Sequence, residues 1–212
     1  MKHNLAPRRL AGGAACAAVL LLASCINVQS KITLAANGSG SIELEYTVSA
    51  FALTWETQEG KEQILPLPIT EEDFRRAVSA VPGLSLRSWS ASPEPQPPGA
   101  DGLLVRAVLD FSSIEALGRF ASRSGAAYRL TREGGRTIFE QTLAAGEAAV
   151  DAADFINAFF KNNVLSFSVT APSNIRAAVP PGAKFSGREA AVSFPLPQLL
   201  QSREPLVFRV EW

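Results

Sequence analysis

Side chains able to move protons or attack a carbonyl are sparse in this chain, and their spacing decides what they could do. Two carboxylate clusters, Glu71-Glu72-Asp73 and the pair Asp151 and Asp154, are the candidates for a general acid and base in cell-wall glycan hydrolysis. That chemistry needs two carboxyl groups facing each other across about 5 to 9 Å. Both clusters open predicted helices, where acidic side chains already have a role in the first turn. A Ser-Lys dyad would draw on Lys31, Lys61, Lys161 or Lys184, and none of them has SxxK spacing. Ser39 lies between Gly38 and Gly40, but this stretch joins two predicted strands, whereas a nucleophile elbow leads from a strand into a helix. The Gly38-Ser39-Gly40 segment therefore reads as a tight turn.

The N-terminus carries a different chemistry. Lys2, Arg8 and Arg9 all precede the first acidic residue, Glu43, and the block from Ala11 to Ser24 is apolar or small throughout. This is the layout of a secretory signal, and at about fourteen residues it is too short to span a bilayer comfortably. Leu22-Ala23-Ser24-Cys25 resembles the lipobox of bacterial lipoproteins, in which the cysteine is lipidated before the signal is cut off. The resemblance implies a signal peptide over residues 1–24 and one domain over 25–212, anchored to a membrane through acyl chains such as palmitate on Cys25. One acyl chain binds a bilayer marginally, whereas two or more hold firmly.

Cleavage there removes His3 and Met1, the chain's single histidine and methionine, together with Cys16, its other cysteine. A mature chain without histidine cannot build Ser-His-Asp or Cys-His constellations, histidine-ligated zinc or blue copper. With one cysteine it forms no internal disulfide, even in an oxidising compartment. The whole chain balances 20 basic against 20 acidic residues, so losing the three N-terminal cations leaves it mildly acidic, with no attraction for nucleic acid. No metal or cofactor is expected.

The elements that would position these groups follow from the periodicity. Lys31 to Leu34 reads as a strand and Asn37-Gly38-Ser39-Gly40 as a turn. From Ser41 to Ala50, Ile42, Leu44, Tyr46 and Val48 alternate with Glu43, Glu45, Thr47 and Ser49, the mark of a half-buried strand. Thr70 caps a predicted helix over 71–80, with Phe74, Ala77, Val78 and Val81 as its apolar stripe. Strands over 84–90 and 103–111 flank the proline-rich stretch Ser92 to Gly102, read as an exposed hairpin connection. Ser112 and Glu115 form a capping-box pattern for a helix over 113–122. Strands over 126–132 and 136–143 follow, and a third helix is predicted from about Asp151 to Lys161. Strand, strand, helix thus recurs with a spacing of about forty residues, suggesting a repeated unit. The end reads as strands over 164–170, 189–194 and 206–212 around a Pro/Gly-rich excursion at 172–187. The fold class is α+β, an antiparallel or mixed sheet with three helices and a strand-rich C-terminus.

Two stretches taken together, the opening Cys25 strand with the Asn37-Gly38-Ser39-Gly40 turn and the closing Ala171-Pro172-Ser173-Asn174-Ile175, Val192-Ser193-Phe194-Pro195-Leu196 and Val210-Glu211-Trp212, resemble bacterial envelope lipoproteins of the LppM-like type and similar spirochaete lipoproteins. The type is expected to carry a C-terminal transmembrane helix, and no such helix is expected from the residues up to Trp212. The resemblance implies an envelope location and binding of a lipid or glycolipid, and it carries over no catalytic residue. Phe155, Phe159, Phe160, Phe167 and Trp212, with Ile156, could line an apolar ligand cavity, although core packing explains the same residues. Trp55, in a polar loop, would suit a partner or a membrane interface. The expectation is a non-enzymatic, lipid-anchored envelope protein, on the periplasmic or external face of the outer or cytoplasmic membrane, binding a partner protein or apolar ligand. A lipid or glycolipid carrier and a carboxylate-dependent glycan hydrolase are the alternatives.

Overall fold

Strands with one apolar and one polar face need a sheet that is dry on one side and wet on the other, and the chain builds two. The computed structural model describes residues 25–49, 68–94, 102–122, 125–143 and 163–212. In chain order the elements are β1 (Cys25–Leu34), β2 (Gly40–Ser49), α1 (Glu71–Ser79), β3 (Leu84–Glu94), β4 (Gly102–Phe111), α2 (Ile114–Ala121), β5 (Ala126–Glu133) and β6 (Arg136–Leu143). They continue with β7 (Val164–Thr170), β8 (Ala177–Val179), β9 (Lys184–Ser186), β10 (Glu189–Pro195), α3 (Leu196–Gln201) and β11 (Leu206–Glu211). A seven-stranded sheet runs β3-β4-β2-β1-β7-β10-β9, and a four-stranded sheet runs β5-β6-β11-β8. β1 and β7 are parallel, and the other pairings are antiparallel. The architecture is α+β with a mixed sheet, as the periodicity predicts.

The inner face of the large sheet carries Ile32, Leu34, Ile42, Leu44, Tyr46 and Val48, all buried, in register with Val105, Ala107, Leu109 and Phe111 of β4. One contiguous cluster joins this face to Phe74 and Val78 of α1, Ile114 and Leu117 of α2, and Phe139, Phe208, Val210 and Trp212 of the second sheet. The C-terminal strand is interior: β11 lies between β6 and β8, and Trp212 exchanges backbone hydrogen bonds with Thr137 at 2.9 and 3.0 Å.

Helix α1 begins where the sequence places it. The Thr70 hydroxyl accepts from the Asp73 N–H at 3.1 Å, and Asp73 Oδ2 accepts from the Thr70 N–H at 3.2 Å, a complete capping box. Its entry is pinned to the sheet, because the Tyr46 hydroxyl donates to the Pro68 carbonyl and the Trp89 indole N–H donates to the Ile69 carbonyl at 3.2 Å. Helix α2 departs by one residue from expectation. Its cap is Ser113, whose hydroxyl accepts from the Ala116 N–H at 3.3 Å, while the Ser112 N–H is spent on the Gly83 carbonyl at 2.8 Å. The Glu115 carboxyl is held below its usual pKa by its own backbone N–H and by the Ser113 hydroxyl.

Other differences lie in short or uncapped segments. β1 extends back to Cys25 and β3 forward to Glu94. The excursion at 172–187 contains β8 and β9, three residues each. α3 was not expected, and its N-cap position, Pro195, makes no side-chain capping bond. The order strand, strand, helix recurs in β1-β2-α1 and β3-β4-α2. β5-β6 belongs to the other sheet, and the helix predicted over 151–161 lies outside the described residues.

The β1-β2 hairpin and the α1-β3 connection each rest on a glycine. A Cβ on Gly40 would collide with the Thr33 carbonyl oxygen and with the Phe111 ring at 2.8 Å. Gly83, at φ +88°, turns the chain out of α1 where a Cβ would strike Ser112. Gly40→Ala should therefore lower stability by about 3 kcal/mol in urea unfolding. Gly182→Ala, which meets nothing within 4 Å, should leave the midpoint unchanged.

Tyr128 gives a second test. Its buried phenol accepts from the Gln141 side-chain N–H at 3.4 Å, and burial pushes its pKa far above the ordinary tyrosine value. Above about pH 10 the unfolded chain loses this proton while the folded chain keeps it, so stability falls as pH rises through that region. Alkaline unfolding should show that loss, and Tyr128→Phe should reduce its slope.

Candidate functional site

The outer face of the large sheet is where the remaining polar side chains converge. Alternation that sends Ile42, Leu44 and Tyr46 inward sends Glu43 and Glu45 outward, and the neighbouring strands do the same in register. One transverse row runs Ser193, Ser166, Gln29, Glu45, Arg106 and Ser90 across β10, β7, β1, β2, β4 and β3. The row beside it contains Ala191, Ser168, Lys31, Glu43, Val108 and Ser88. Apart from Ser90 and Ser88 of β3, the two rows floor an open concavity of about 400 Å³ centred on β1, β2 and β7.

Its electrostatics are mixed and close to neutral. The Arg106 guanidinium donates through Nε to Glu45 Oε2 at 2.6 Å, and Lys31 stands opposite Glu43 in the β1-β2 register. Arg106 and Glu45 are 55% and 37% exposed, so the pair contributes at most about 1 kcal/mol to stability. Across the floor the Ser166 and Ser193 hydroxyls share a hydrogen bond at 3.0 Å. Small serine and alanine side chains leave the depth, and the Gln29 amide, Lys31, Arg106 and the two glutamates supply donors and acceptors around it. Such a surface suits a polar, uncharged or zwitterionic ligand or a protein surface of mixed charge. It offers nothing to hold a polyanion selectively. Among the described residues no group of three His, Cys, Asp or Glu side chains could hold a metal ion.

Those residues singled out from the sequence that the structure describes lie elsewhere. Glu71, Glu72 and Asp73 do the work of a helix start. Asp73 closes the capping box, Glu71 pairs with Arg75 at 2.5 Å, and Arg76 pairs with Glu72 at 3.4 Å and with Asp73 at 3.2 Å. Asp151 and Asp154 lie outside the described residues, as do Trp55, Phe155, Phe159 and Phe160. Phe167, in β7, and Trp212, which directly follows β11, are both buried. The Phe167 ring lies 6.2 Å from that of Phe194, centroid to centroid, and both Phe167 and Trp212 belong to the common core. Ser39 is in the turn, its N–H and hydroxyl donating to Asn37 Oδ1 at 3.1 and 2.8 Å. Cys25 is the first residue of β1.

Sequence reasoning missed the concavity. The signal was present in the outward set Glu43 and Glu45, but it reads as an ordinary solvated strand face until pairing brings Gln29, Arg106, Ser166 and Ser193 beside it.

No family model matches the chain, and no curated protein matches it. Among solved structures, the chain is similar to the folded domain of Mycobacterium tuberculosis LppM, determined by NMR, at 13% sequence identity over 89% of this chain and 88% of that one, with a TM-score of 0.51. The fold described above is therefore one that the LppM folded domain shares.

Proposed function

We propose that this protein is a lipid-anchored, non-enzymatic component of the bacterial cell envelope that binds a polar ligand or a partner protein through the outer face of its large sheet. The observation that carries this reading is the placement of β1. The strand begins at Cys25, the residue that the lipobox resemblance marks for lipidation, and four to six residues later it contributes Gln29 and Lys31 to the floor of the concavity. At about 3.3 Å per residue, these side chains lie within roughly 20 Å of the anchor. A ligand held there is held close to the membrane.

The arrangement favours binding over hydrolysis. Glu45 is committed to Arg106, and Glu71, Glu72 and Asp73 are committed to their helix. Neither set presents two carboxyl groups converging on a common point with one of them prepared to stay protonated, as acid-base cleavage needs.

Anchoring is tested with the full-length precursor. Cys25→Ala should leave the signal unprocessed and abolish acyl labelling of the mature form. Unchanged processing and unchanged membrane retention of that variant would sink the anchoring reading. For the binding face, a photo-crosslinker at Gln29 should capture a ligand or partner in the native envelope, while one at the exposed Arg129, on the outer face of the other sheet, should not. Equal capture at both positions would remove the concavity from consideration.

A further inference from the structure

Among the described residues the exposed large hydrophobic side chains are Val179, Phe185 and Val207, and Phe185, 47% exposed, stands on an edge strand of the large sheet. That strand, β9, is Lys184-Phe185-Ser186. It meets β10 through the two-residue turn Gly187-Arg188, with Ser186 opposite Glu189, Phe185 opposite Ala190 and Lys184 opposite Ala191. Across such a turn the flanking residues form the closing hydrogen-bonded pair, and the next pair along is not hydrogen-bonded. The Phe185 N–H and C=O therefore point away from β10 toward the open edge, where they have no partner among the described residues.

An open edge of N–H and C=O groups is a template for another extended chain. At the other end of the sheet β3 blunts its edge with an irregularity between Leu86 and Ser88 and with Pro93, and β9 has neither. Its protective feature is Lys184, which repels an identical edge only where it meets itself. Antiparallel pairing of two copies centred on Phe185 avoids that, because it sets Lys184 of each copy opposite Ser186 of the other. The Phe185 N–H and C=O then exchange two hydrogen bonds across a two-fold axis, and the two rings become direct cross-strand neighbours. On the opposite face of the strand, Lys184 of one copy falls in the same row as Ser186 and Glu189 of the other. Two strand spacings separate that lysine from that glutamate, about 10 Å between α-carbons, a gap that the two extended side chains close over the small serine. Lys184 and Glu189 are both exposed, and neither has an ion-pair partner among the described residues.

We infer that two copies of this protein associate edge to edge through β9, with Phe185 on the two-fold axis and two reciprocal Lys184–Glu189 pairs beside it. The interface uses the same surface on both copies, so it closes at two. It joins two seven-stranded sheets into one, and because the axis is normal to the sheet, both concavities open on the same face. A three-residue strand and exposed ion pairs make this a weak association that depends on concentration. It requires neither the lipidation of Cys25 nor a ligand in the concavity.

The test uses the full-length chain in intact cells, with a photo-reactive phenylalanine analogue at position 185 or, for comparison, at the exposed Ser85 on β3. Illumination should give a covalent adduct of two copies from position 185 and none from position 85. With the probe at 185, Lys184→Glu sets two glutamates against each other across the axis and Glu189→Lys sets two lysines. Each should reduce the adduct several-fold, and the double variant, which restores opposite charges, should recover it. Absence of a two-copy adduct, or an adduct only with some other protein, overturns the association. A two-copy adduct that ignores the charge changes, or that the double variant fails to recover, overturns the pairing centred on Phe185.

Discussion

The structure depends on β1 being paired on both sides. Its antiparallel partner β2 leads through β4 to β3, and its parallel partner β7 leads through β10 to β9. The two halves of the large sheet, one built from residues before 112 and the other from residues after 163, meet nowhere else in the hydrogen-bonded order. A parallel neighbour cannot be reached by a tight turn, and the chain between β2 and β7 uses that distance to lay down two helices and the β5-β6 hairpin. β1 is therefore the seam of the large sheet. The sheet closes around it only when the C-terminal half has been delivered.

That seam also separates the two faces of the sheet. From Val28 to Thr33 the strand is buried on one face and bonded at both edges, which places it among the most protected parts of the fold. Ile32 is fully buried, and Leu34 nearly so. The side chains one residue out of phase with Ile32, namely Lys31 and Thr33, face away from the core. The same alternation that stabilises the domain by burying one row of each strand exposes the other row as a paved, polar surface. Core and candidate site are two faces of the same strands, so a one-residue register slip at β1 would exchange them.

Much of this was legible in the residues. The run Ile42 to Val48 reads as a half-buried strand because period-two alternation has few other physical solutions. Thr70 with Asp73 reads as a helix start because the side chains satisfy backbone donors locally. The places where local reasoning slipped are those where a local rule had two answers. Ser112 and Ser113 can each cap, and the choice of Ser113 is made by Gly83, whose carbonyl takes the Ser112 N–H. β8 and β9 are too short for periodicity to register, and they exist because the edges of two sheets lie within reach. α3, Leu-Pro-Gln-Leu-Leu-Gln, lacks a side-chain cap and is held by burial of Leu196 and Leu200. Phe167 and Trp212 illustrate another limit, since an aromatic side chain suits a core and a ligand wall equally and only its neighbours decide between them.

What the sequence determined by itself is whatever depends on near neighbours: the basic-then-apolar run ending at Cys25, the absence of histidine after it, the strand faces, the capped helix, the turn at Asn37 to Gly40 and the α+β class. These follow from interactions spanning a few residues, which composition and spacing display directly. The tertiary structure decided which strands pair. That choice placed Gln29, Glu45, Arg106 and Ser166 in one row, although they are separated by up to 137 positions in the chain, and it put Cys25 at one end of the large sheet. Pairing over such separations is set by the fit of whole faces in a shared core, a collective quantity that no window of the sequence contains.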